Sequence, residues 1–194
     1  TGPPVTLAQA VSFAALGTGV AQARIVTVLY AGLAAAAAYG VGRSVARPAI
    51  AVIAALLVTL TLYPHNRIAL GEVPALALFL TGAWLWLAAV DRPRPGRWLV
   101  LAGLAWGCAA LAKLAMAPIV LCTLAGAWLV LAVRRQQPRL WMAVLPALAL
   151  LAPLAAWFAV QAALIGPGEA VARLATLGDY QQQNASPLLE PAPA

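Results

Sequence analysis

Apolar residues run through this chain in long blocks, divided by short polar punctuation. The blocks lie near 23–41, 49–63, 70–90, 98–113, 116–133 and 140–165. Ala and Leu dominate them, without the strict alternation of a half-buried strand, so each block predicts an α-helix. Most approach the roughly 20 residues that a helix needs to cross a bilayer. Ahead of them, Pro3 and Pro4 suit a helix start. The apolar stretch that follows is short and stops at Gly17-Thr18-Gly19, which predicts a helix at the membrane edge rather than a span. Gly40, Gly42, Arg43 and Arg47 are expected to end the first span, and Pro93 and Pro95 to separate the third from the fourth. The reading is an all-α polytopic membrane bundle of about six transmembrane helices plus the N-terminal membrane-edge helix. Residues 1–165 make the transmembrane region. Residues 166–194, polar and proline-containing, make an extracytoplasmic loop or tail.

Composition excludes a soluble domain. Hydrophobic residues make up 64% of the chain and charged residues 9%, with a mean hydropathy of +0.91. A soluble domain carries roughly 25% charged residues. The net charge of +7 does not point to nucleic acid, because the arginines sit in small clusters between apolar blocks. Alternating the loops puts Arg43, Arg47, Arg92, Arg94, Arg97, Arg134, Arg135 and Arg139 on one side. Arg24, Arg67, Lys113 and Arg173 fall on the other, with Glu72, Glu169, Asp179 and Glu190. The basic excess marks the first side as cytoplasmic, in an inner (plasma) membrane, and both chain ends then face outward. Trp84, Trp86, Trp98, Trp128 and Trp141 sit near the cytoplasmic ends, as an interfacial belt would. Cys108 and Cys122 lie inside apolar blocks and read as small core residues. Gly103 and Gly107 form a small-xxx-small step suited to helix packing. Thr1 opens directly on TGPP with neither Met nor a signal peptide, so a longer protein is expected.

Two charged residues are hard to explain as packing. Glu72 begins an apolar run in RIALGEVPALALFLTGAWLWL, and no residue from Val73 to Val90 carries a charge. An acid there either favours a helix N-terminus, with Pro74 in the first turn, or faces a polar site at the membrane surface. Lys113 stands in GLAWGCAALAKLAMAP, where its ammonium either snorkels to the interface or serves a site. The topology brings Lys113 to the same face as Glu72, Arg67 and His65. Cations beside a carboxylate could hold a phosphate head group and a reacting hydroxyl. His65, the lone histidine, reads first as a plain polar loop residue and only second as part of a polar site. No residues have the spacing of a structural metal site.

At these residues the chain resembles the GT-C glycosyltransferases. These are membrane enzymes related to protein O-mannosyltransferases and to the aminoarabinose transferase of lipid A. RIALGEVPALALFLTGAWLWL resembles the segment after their third span. GLAWGCAALAKLAMAP resembles their GLxxGLAxLTK run, with Ala112 where Thr is usual. TGPPV resembles the PP-containing end of their first outer loop. The resemblance implies transfer of a hexosyl or pentosyl group from a polyprenyl-phosphate donor. The acceptor is a lipid, glycan or protein on the extracytoplasmic face. It implies Glu72 as a catalytic carboxylate and Lys113 as a donor-phosphate ligand, and Arg67, a basic residue at the same boundary, is the second candidate for that phosphate. The family's first-loop Asp would lie upstream of Thr1. Some members use a divalent metal ion, which leaves one open as a cofactor, although nothing here matches a ligand set. Two other classes stay open on the residues alone. A transporter could use Glu72 and Lys113 to line a path, and a non-catalytic subunit of a cell-envelope assembly would need neither.

Overall fold

The computed structural model describes residues 2–62, 71–90, 92–133, 140–173 and 176. Within them the chain is all-α. Seven helices follow one another: α1 (Pro3–Leu16), α2 (Val20–Val45), α3 (Pro48–Leu62), α4 (Glu72–Val90), α5 (Gly96–Ala112), α6 (Met116–Val133) and α7 (Trp141–Ile165). Counting only the described residues, three of them, α2, α4 and α7, are long and apolar enough to cross a membrane. α3, with 15 residues, rises about 22 Å, against a hydrocarbon core of about 30 Å. The chain divides into two compact units, Thr1–Leu154 and Ala155–Ala194.

In the first unit α4 is central, packed between α2 and α5. α2 and α4 run parallel: Ala34 clusters with Val73 and Ala77, and farther along Gly40 meets Trp84. α3 returns antiparallel between these levels, with Ala51 against Gly42 and Leu62 beside Ala34. α5 returns along α4. The largest core cluster joins Trp86 and Ala89 of α4, Leu99, Ala102 and Trp106 of α5, Val120 and Leu124 of α6 and Leu150 of α7. This arrangement gathers Arg43, Arg47, Arg92, Arg94 and Arg97 at one end of the unit and Glu72 and Lys113 at the other. Arg134, Arg135 and Arg139 lie outside the described residues.

Three expectations need correction. Gly40 and Gly42 do not end the first apolar helix; α2 runs through both to Val45. A glycine inside a helix costs about 1 kcal/mol against alanine, and here tertiary packing offsets that cost. A Cβ on Gly40 would stand 2.6 Å from the Trp84 ring, and one on Gly42 2.7 Å from the Ala51 Cα. Trp86 is not an interfacial anchor. It is 5% exposed in the core, and its Nε1–H donates to the Met142 carbonyl at 3.1 Å. Pro146, inside α7, lacks the N–H that would otherwise bond that carbonyl, and the indole takes its place. Cys122 is exposed, so only the half-buried Cys108 takes part in packing. Gly103 and Gly107 do act as packing steps. A Cβ on either would run into a backbone carbonyl of α7, Pro146 for Gly103 and Leu150 for Gly107.

The second unit holds the last turns of α7, which stop at Gly166, where φ is +88°. A short helical segment over 167–173 follows. There Glu169 and Arg173 form an exposed pair one turn apart, at 3.3 Å.

Candidate active site

One end of the first unit brings together three stretches that are far apart in sequence. The first is the start of α1. Gly2 caps it in an extended conformation, and its carbonyl accepts the N–H of Val5 at 3.1 Å and of Thr6 at 3.2 Å. Pro3 and Pro4 fill the first turn, where a missing N–H costs nothing. A Cβ on Gly2 would run into the Leu111 carbonyl, so glycine is what lets this start lie against the end of α5. Val5 is buried with Ala75 of α4 and Ala112 of α5, and Met116 of α6 packs against them. Tyr30 of α2 donates its hydroxyl to the Pro4 carbonyl at 3.4 Å. Sequence reasoning missed Gly2 and Tyr30 in this role. The one signal was a glycine placed directly before a Pro-Pro helix start.

The second and third stretches carry the charges. Glu72 is the first residue of α4, where a carboxylate complements the helix dipole. α5 stops at Ala112. Lys113 then takes an extended conformation, with φ −150° and ψ 112°. Its N–H bonds the Ala109 carbonyl at 3.0 Å, and its own carbonyl accepts the N–H of Met116 at 2.9 Å, which starts α6. The reversal holds the lysine stem beside α4. Its Nζ donates to Glu72 Oε1 at 2.8 Å. The two side chains are 42% and 44% exposed. Lys113 therefore does not simply extend into its surroundings, because its ammonium is held on Glu72. Glu72 is at once the helix-start acid and the partner of the lysine. The other two residues expected here, Arg67 and His65, lie outside the described residues.

A part-exposed pair of this kind contributes about 0–1 kcal/mol to stability in water. Stability alone is a weak reason for two charges at the edge of so apolar a bundle. Chemically, the pair presents both signs within one contact. An anion that engages Lys113 would release Glu72 to accept a hydrogen bond from a hydroxyl. Among the described residues no three His, Cys, Asp or Glu side chains come together, and Glu72 is the one described carboxylate of this unit. Among the described residues, Glu72 is the one carboxylate at this end that could contribute to a divalent ion.

The sequence profile of the dolichyl-phosphate-mannose-protein mannosyltransferase family matches residues 1–157. The chain belongs to that family. It is thus a membrane glycosyltransferase family member of the GT-C type. The match covers all three stretches that converge on the Glu72–Lys113 pair. No curated protein and no solved structure matches the chain.

Proposed function

We propose that this family member transfers a hexosyl or pentosyl group from a polyprenyl-phosphate donor to an acceptor on the extracytoplasmic face of the inner membrane, with the Glu72–Lys113 end at that face. One observation carries the proposal: the 2.8 Å contact of Lys113 with Glu72, at the end where the start of α1, the start of α4 and the end of α5 meet. Support for the orientation is the group of five described arginines at the opposite end, because basic loops stay cytoplasmic. The donor's lipid tail remains in the bilayer, so its phosphate sits at the hydrocarbon boundary. The acceptor oxygen forms its bond to the anomeric carbon as the bond from that carbon to the phosphate oxygen breaks. The lipid phosphate leaves with the electron pair, and the hydroxyl proton passes to a base. Lys113, with Arg67 as the second candidate, neutralises the leaving phosphate at close range. Glu72 orients Lys113 or takes a hydrogen bond from the acceptor.

The test is sugar transfer by the complete gene product in liposomes with defined lipid donors. Lys113→Met keeps the stem length and removes the charge. It is expected to lower turnover by roughly a hundredfold, the scale of losing one preorganised donor to developing negative charge. Glu72→Gln is expected to lower it as well. Wild-type rates from Lys113→Met would end the phosphate role. A wild-type protein silent across a broad donor panel would shift the assignment to a transporter or a non-catalytic subunit.

A further inference from the structure

A groove elsewhere in the first unit takes no part in the Glu72–Lys113 site. α2 and α3 are in close contact where Gly42 meets Ala51 and again where Ala34 meets Leu62. Along the face between these levels lies an open cavity of about 740 Å³. Ala36 and Gly40 of α2 and Val52 of α3 line it, and Trp84 of α4 contributes its ring. The ring rests on Gly40, which has no side chain to lift it. Tyr39 and then Arg43 line the groove toward the end of α2. Trp84 is about 18 Å along α4 from Glu72, at 1.5 Å per residue, so this groove belongs to the other half of the bundle.

Apart from Thr59, whose hydroxyl bonds the Ala55 carbonyl of its own helix at 2.8 Å, the lining is apolar except toward that end. Arg43 is exposed in the last turn of α2, and no described carboxylate pairs with it. Tyr39, one turn inward, is part-exposed, as is Trp84. An apolar trough that leads to an aromatic hydroxyl and then an exposed guanidinium is complementary to an amphiphile with an anionic head. Basic pockets between membrane helices bind anionic head groups in this way. A transmembrane helix from another chain would also fill the trough, but an anionic head group matches the Arg43 end as well as the apolar floor. We propose that this groove binds an anionic phospholipid, with phosphatidylglycerol as its type, from the leaflet at the arginine-rich end. The phosphate pairs with Arg43, and an acyl chain lies on Ala36, Gly40 and Val52. The proposal does not depend on the sugar-transfer reading.

The test equilibrates the complete gene product with nanodiscs of phosphatidylglycerol and phosphatidylcholine, then reads retained lipid by native mass spectrometry. The wild type is expected to retain phosphatidylglycerol in preference. Arg43→Gln should weaken that retention by roughly fivefold, the effect of one basic residue at a lipid surface. Arg43→Lys should restore most of it. Ala36→Trp, at an exposed position, fills the trough and should release lipid of either head group. Unchanged phosphatidylglycerol retention in Arg43→Gln would overturn the proposal. So would polyprenyl phosphate as the species displaced by Ala36→Trp, and so would an Ala36→Cys cross-link to another polypeptide chain.

Discussion

At the scale of single residues, the chain's polar atoms show how an apolar bundle tolerates irregularity. Pro146 sits fully buried inside α7 and leaves the Met142 carbonyl without its helical partner. The Trp86 indole supplies the missing donor at 3.1 Å. This pairing predicts a specific non-additivity. Trp86→Phe should destabilise by about 1–3 kcal/mol, since a buried acceptor loses its hydrogen bond. In a Pro146→Ala background the helix regains its own N–H, and the same change should cost about 1 kcal/mol less. Denaturation of the four proteins in one detergent measures the cycle. Equal costs in both backgrounds would show that the indole only fills space. Legibility in the sequence divides along the same line. Glu72 and Lys113 stood out because a charge in an apolar run has few inexpensive explanations. Trp86 did not, because its proximity to an arginine-rich loop fits an interfacial belt as well as a core. Only the helix that packs against it decides between the two.

At the scale of elements, the apolar blocks located the helices, since block length and turn residues are local properties of the chain. The roles of the glycines were not local. Gly40 and Gly42 resembled a helix end, yet they are places where Trp84 and Ala51 approach α2. Gly82 does the same for Trp106, whose ring atoms would lie 2.6 Å from a Cβ there. Gly103 and Gly107 declared their packing role through their spacing, but not their partner, α7. That partner makes a contrast testable. Gly103→Leu pushes on the Pro146 backbone and should cost about 1–3 kcal/mol or more by overpacking. Gly126→Leu, on α6 with nothing within 4 Å of its Cβ, should not destabilise and should gain up to about 1 kcal/mol of helix propensity. Thermal unfolding in detergent distinguishes them. If the two variants melted alike, α5 and α7 would not be packed as closely as these contacts require.

At the scale of the whole molecule, the two ends of the first unit differ in chemistry, and the proposed function depends on which faces the cytoplasm. Five described arginines crowd one end, and two of them, Arg92 and Arg97, stand 4.0 Å and 5.5 Å from the Trp98 ring centroid. The other end holds the Glu72–Lys113 pair. Basic clusters in short loops resist translocation, so the arginine end should be inside. Single cysteines can decide this once Cys108 and Cys122 are replaced by alanine. Gly96→Cys, at the start of α5 with open space around it, should resist a membrane-impermeant thiol reagent in intact cells and react after permeabilisation. Gln137→Cys, between α6 and α7 in the sequence, should behave in the same way. Gln182→Cys should react from outside. Labelling of Gly96→Cys in intact cells would place the arginines outside and Lys113 in the cytoplasm. The Lys113–Glu72 pair would survive as geometry, but a donor presented on the extracytoplasmic face could not reach it.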